Sequence, residues 1–152
     1  MTKPVVFLLV GGLLLSLGVG ELRAQDKATA EQLDKKADAL NAAAKKLGKP
    51  KATHQCIATE TGVSLEKVEN LHKNNPEAGP AGLLLAFSMA GETKRTASHF
   101  VESRISGKSW GAIAQDNKVP IEKLTEHLDH VMTCLASPPA KAENPKASTE
   151  KK

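Results

Sequence analysis

The sequence predicts an all-α protein: a small bundle of five or six short helices, built around two copies of a helix, tight turn, helix unit, with an amphipathic helix at the N-terminal side. Three observations carry this. Apolar residues recur at spacings of three and four over much of the chain, and no segment alternates with the period of two that a half-buried strand needs. Gly stands at the presumed helix ends, and Ser, Thr or Pro at the presumed starts. A stretch near residue 56 also recurs near residue 112.

Lys3 precedes an uncharged run from Pro4 to Gly20, rich in Leu, Val and Gly, and Glu21-Leu22-Arg23-Ala24 leads into a polar chain. This is the layout of a secretory signal peptide over residues 1–24, cut after Ala24. The run of 17 residues is at the short limit for a membrane span, about 17–25 residues. An uncleaved anchor is therefore the alternative. No Cys follows the run, so no lipid-modified N-terminus is expected. The expected product begins at Gln25, is periplasmic or secreted, and has no stable membrane insertion after cleavage.

Residues 25–52 read as an amphipathic Ala/Leu helix and a linker. Over 27–47, Ala30, Leu33, Ala37, Leu40, Ala44 and Leu47 follow a heptad-like pattern, with Lys and Asp on the other faces. Gly48 and Pro50 stop the helix. The stripe docks on the chain's own domain, mediates self-association through residues 27–47, or belongs to a largely mobile arm.

Residues 53–137 read as the folded helical domain. Thr53 caps a helix that ends near Gly62, and Ser64 caps a second through Lys73. Asn74-Asn75-Pro76 and Gly79-Pro80 mark a loop. Residues 81–90 are apolar on all faces, as in a central buried helix. Gly91 separates this from a helix over 93–106 whose inner face is Ala97, Phe100, Val101 and Ile105. Ser109 caps the next helix, and Pro120 opens a last one with the stripe Leu124, Leu128, Val131 and Leu135. From 138 to 152, Pro, Ala, Lys and Ser predominate, and a disordered tail is expected.

Net charge is +4, unevenly spread. Residues 25–53 carry seven Lys against four acids, residues 54–137 eight Lys and Arg against ten acids, and residues 138–152 four Lys against two acids. The basic balance therefore comes from the flanks; a basic tail reads as solvated, with loose attraction to anionic envelope polymers or lipid as the functional alternative.

Cys56 through Val68 overlays Ala112 through Leu124 at an offset of 56: Ile57 meets Ile113, Ala58 meets Ala114, Val63 meets Val119, and Glu66-Lys67 meets Glu122-Lys123. The spacing resembles the helix-turn-helix of DNA-binding proteins. The second helices carry Glu66 and Glu69, or Glu122, Glu126 and Asp129, which would face phosphate badly. DNA binding is kept as an alternative, and no nucleic-acid partner is expected. The second copy begins with Gly107, Lys108, Ser109, Trp110, Gly111, Ala112, Ile113 and Ala114. It resembles the G-K-x-W-G-x-I-A stretch of small, exported, all-helical bacterial proteins that are largely uncharacterised. That resemblance covers about residues 54–125 and implies an envelope protein; it implies no activity. Asn117-Lys118 stands where Gly before the Val is usual, so Asn117 is expected to take the left-handed conformation. Trp110 is read as hinge packing, or else as an exposed platform for a sugar or peptide.

An exported chain with two cysteines points to a Cys56–Cys134 disulfide, which closes 78 positions. The rival is a metal site, for Zn(II) or Cu(I), that joins His54, His127 and His130 to the two cysteines. There is no CxxCH motif for covalent haem.

Gly107-Lys108-Ser109 lacks the Gly five positions upstream that a phosphate-binding loop needs; Glu102 is there. Glu102-Ser103 and Gly111 to Gln115 resemble the Glu-Ser and Gly-Ala-x-Gly-Leu-Met-Gln segments of soluble lytic transglycosylases. That resemblance implies peptidoglycan cleavage with Glu102 as the acid. The second Gly and the Met are missing, and the chain has no Tyr. The reading favoured by the residues is a non-enzymatic binding or structural module of the bacterial envelope with no cofactor, whose partner is a protein or an envelope polymer.

Overall fold

A computed structural model of the protein describes residues 19–137, with side chains from Lys27 onward. The apolar run of the expected signal peptide and the 138–152 tail lie outside the described residues. Within them the chain forms α1 (Val19–Leu47), α2 (Pro50–Thr61), α3 (Leu65–Asn74), α4 (Gly79–Glu92), α5 (Ala97–Ile105), α6 (Trp110–Asp116) and α7 (Ile121–Ala136), with one 3-10 turn at Pro76–Ala78. No strand occurs among the described residues. The all-α expectation holds.

α1 begins at Val19, ahead of the Lys27 that periodicity suggests. Ala30, Leu33, Ala37, Leu40 and Ala44 are buried, and Leu47 packs partly buried beside them. They lie against α4, α6 and α7. The stripe is therefore occupied by the chain's own core, and residues 27–47 share one apolar cluster with residues 53–137. Lys36 Nζ adds an ion pair to Asp129 on α7 at 2.6 Å.

α4 is the central helix, with Leu83, Leu84, Leu85 and Met89 fully buried. Gly91 does not separate it from the next helix; α4 runs through Gly91 to Glu92. A single Gly in a helix costs about 1 kcal/mol, which the buried turns of α4 before it, Ala81 to Met89, outweigh. The break falls at Thr93–Thr96, where Thr96 caps α5 by accepting from His99 N. Ala97, Phe100 and Val101 face inward as expected, but Ile105 is 53% exposed. It is the last residue of α5, where the chain turns away from the core.

α2 starts at Pro50 and not at Thr53. Proline fits the first helical position, because its missing N–H would be unpaired there in any case. Thr53 is carried inside the helix, buried, with its hydroxyl donating to Lys49 O at 3.1 Å.

The repeat is structural. α2–α3 and α6–α7 each form helix, tight turn, helix, and Ile57, Ala58, Val68, Ile113, Ala114 and Leu124 are all buried. The left-handed residue of the second turn is Lys118 (φ 56°), not Asn117 (φ −101°). Val119 N donates to Ala114 O at 2.9 Å and Lys118 N to Gln115 O at 3.1 Å. These two bonds make a Schellman ending, which fixes the left-handed position just before the Val. At the repeat offset this is Gly62, with φ 68°.

Lys118 carries a Cβ in a conformation that disfavours one by about 1–2 kcal/mol. Lys118→Gly is expected to raise unfolding free energy by about 1 kcal/mol, read from urea midpoints at constant slope. A fall would mean that side-chain contacts of Lys118 outweigh the relieved strain.

Candidate functional site

The motif residues Gly107 to Ala114 join α5 to α6. Gly107 ends α5 in a left-handed conformation (φ 96°), with its N–H on Arg104 O. Ser109 caps α6 by accepting from Ala112 N at 3.1 Å. Trp110 is 4% exposed, so it is no surface platform for a sugar. Its ring lies 6.0 Å beneath the Arg104 guanidinium, and a Cβ on Gly82 of α4 would meet it at 3.3 Å. Ile113 and Ala114 are buried, whereas Lys108 is exposed and pairs with Asp116 at 2.7 Å.

The start of α6 is seated directly on α1. A Cβ on Gly111 would lie 2.5 Å from Ala30 Cβ and 2.7 Å from Ala30 O, so only glycine permits this approach. Asp34 on α1 accepts from Trp110 N at 2.8 Å and from Gly111 N at 3.3 Å. Together with Ser109 it satisfies the amides of Trp110, Gly111 and Ala112, which would otherwise be unpaired. Two turns further along α1, Asn41 Oδ1 accepts from Ala81 N at 2.9 Å at the start of α4. One helix thus caps two others. Sequence reasoning placed Asp34 on an ordinary polar face and did not single out Asn41. The available signal was their position, each directly after a buried Leu of the stripe, Leu33 or Leu40.

Beside this junction an open groove of about 1130 Å³ runs along α1 and α6. Its wall mixes Lys27, Lys35 and Arg104 with Glu31 and Asp34.

At the opposite seam, Cys56 of α2 and Cys134 of α7 are bridged, with Cα atoms 6.0 Å apart. One turn along, Glu60 Oε1 accepts from His130 Nδ1 at 3.0 Å, and His127 Nδ1 lies 2.8 Å from the same oxygen. Rising numbers on α2 meet falling numbers on α7, so the two helices run antiparallel. The candidate metal set does not assemble. Both sulfurs are consumed, and His54 packs edge-on against His72 of α3, with ring centroids 4.8 Å apart. Two positions along a helix is more than half a turn, so His54 and Cys56 face different neighbours. Among the described residues no three His, Cys, Asp or Glu are arranged to hold a metal ion. Burial, and then the His72 imidazole, hold the pKa of His54 below its ordinary 6.5; Glu69 pulls the other way.

Glu102 is exposed on α5. Glu66 and Glu69 on α3, and Glu122, Glu126 and Asp129 on α7, are exposed as well. No helix among the described residues is long and apolar enough to cross a membrane. Neither a family model, nor a curated protein, nor a solved structure matches this chain.

Asp34→Ala is expected to lower unfolding free energy by about 1–2 kcal/mol through loss of the cap, and Gly111→Ala by about 1–3 kcal/mol through overpacking. Urea unfolding checks both; unchanged midpoints would refute the seating of α6 on α1. Replacing the bridge with Cys56→Ser/Cys134→Ser is expected to cost about 2–4 kcal/mol while the helical circular-dichroism signal at low temperature persists.

Proposed function

We propose that this protein is an exported, non-enzymatic helical module of the bacterial envelope, periplasmic or secreted, released from its leader after Ala24. The observation that carries the reading is the Cys56–Cys134 bridge, which ties α2 to α7. Such bonds persist in oxidising compartments and are rare in a reducing cytosol. The leader-like layout of residues 1–24 supports the reading, as does the resemblance of Gly107 to Ala114 to exported helical proteins. Cleavage after Ala24 is also compatible with the fold. It would shorten α1 but spare Asp34, Asn41 and the buried stripe, whose first residue is Ala30. The polar groups that α1 directs inward serve as caps for α4 and α6, which is consistent with a structural role.

Expression with the native leader, followed by cell fractionation and intact-mass measurement, tests this. The expected species starts at Gln25, leaves the cytosol, and weighs about 2 Da less than its reduced form, the two hydrogens lost when the sulfurs join. A full-length cytosolic chain with free thiols would overturn the reading.

A further inference from the structure

We infer that the junction Gly48–Lys49–Pro50 is a conformational gate: it holds α1 on its own chain, and it is the hinge through which α1 would otherwise pass to a second copy. The inference concerns the fold and does not rest on the proposed export.

The exchangeable part is defined by its contacts. α1 packs against α4, α6 and α7, all of them later in the chain than the junction. Its specific bonds, from Asp34 to Trp110, from Asn41 to Ala81 and from Lys36 to Asp129, go to the same three helices. α2 stays with these helices in any arrangement, because the Cys56–Cys134 bridge ties it to α7. The contacts of α1 are the same whether α4, α6 and α7 belong to its own chain or to another copy, which is the condition for exchanging an element between identical chains.

The direction of the chain at residues 48–50 decides between the two. Ala30 lies beside Val119 and Ile121, and Lys36 beside Asp129, so α1 runs parallel to α7. α2 runs antiparallel to α7, so the chain reverses between α1 and α2 across two residues. Gly48 makes the reversal in a left-handed conformation, φ 63°, with its N–H on Ala44 O at 3.1 Å. Lys49 has left the helical region, at φ −121° and ψ 75°, as the residue before a proline does. Straightening the junction would make α1 and α2 one continuous helix. Pro50 blocks that state, because it has no N–H to offer Lys46 O and its ring would press on that carbonyl. With the straight state blocked, α1 meets its own bundle at the high effective concentration that a short tether gives.

Gly48→Ala/Pro50→Ala removes both locks without touching the core. Both residues are exposed, and a Cβ on Gly48 meets nothing within 4 Å, so the change acts through the backbone. The fused helix carries α1 away from its own bundle, and its Leu and Ala stripe is then buried on a second copy.

The protein is purified with its bridge intact, in unlabelled and isotope-labelled batches. The two are unfolded together in urea, refolded, sized by light scattering, and treated with a zero-length carbodiimide, which joins Lys36 to Asp129. The wild type is expected to be a monomer in which every Lys36–Asp129 cross-link joins peptides of one label. The double variant is expected to be a dimer in which about half of these cross-links join the two labels; larger assemblies with mixed links carry the same exchange and support it. Inserting Gly-Ser-Gly-Ser after residue 48 of the double variant supplies a tether that can turn back, and is expected to return the monomer. A double variant that stays monomeric, an assembly whose Lys36–Asp129 links keep to one label, or a wild type already dimeric through mixed links would each overturn the gate. So would a double variant that loses its helical circular-dichroism signal and does not regain it with the insertion, because the junction would then do more than set direction.

Discussion

The seating of α6 on α1 is the constraint from which the remaining architecture follows. Asp34 reaches across 76 positions of sequence to accept from Trp110, and Gly111 lets the two backbones close on Ala30. A helix as short as α6, seven residues, gains little from its own hydrogen bonds. It holds its place because its first amides end on a carboxylate and its inner face, Trp110, Ile113 and Ala114, is buried. Asn41 repeats the arrangement for α4. The N-terminal helix is therefore not an arm laid over a finished domain. Removing it would uncover its Leu and Ala stripe and leave the starts of α4 and α6 with unpaired amides at once.

The disulfide acts at the seam where α1 does not. α2 meets α4, α3 and α7, and its link to α7 combines the bridge with the Glu60–His130 hydrogen bond one turn away. The bridge closes 78 positions, nearly the whole of the chain between the first and last core helices. In the chain-entropy view such a loop restricts the unfolded ensemble strongly. Phe100 and Trp110 are the only aromatic residues in the buried core among the described residues. With so little aromatic area to bury, restricting the unfolded state matters more than it would in a larger core.

Helix existence was legible in the sequence because it depends on local signals. Ser64 and Ser109 cap the helices the spacing assigns them, Pro120 opens α7, and its predicted stripe is the buried one. What stayed hidden depends on partners far away in the chain. Asp34 and Asn41 look like any surface polar residues until α6 and α4 are set against them. Gly91 carries a break signal, yet the helix anchored by the buried turns before it runs one residue past it. Lys118 is the reverse case, a poor left-handed residue held there by the Schellman bonds around it. Of the groups weighed for function, the sequence found the cysteine pair by count and spacing. It could not see that His54 turns toward α3 while His127 and His130 turn toward Glu60.

The two copies of the repeat start their first helices differently. At the offset of 56, Ser109 corresponds to Thr53 and Trp110 to His54. In the second copy the serine caps the helix, the indole is buried, and Asp34 accepts from its backbone N–H. In the first copy Pro50 extends the helix backward by one turn, so the threonine is drawn inside and no side chain caps the new end. An imidazole then occupies the place of an indole. It is smaller and polar, and it packs edge-on against His72 of α3. The same local frame thus yields a helix start capped by side chains in one copy and a start with no side-chain cap in the other. Divergence at two positions, together with one added turn, separates the two copies.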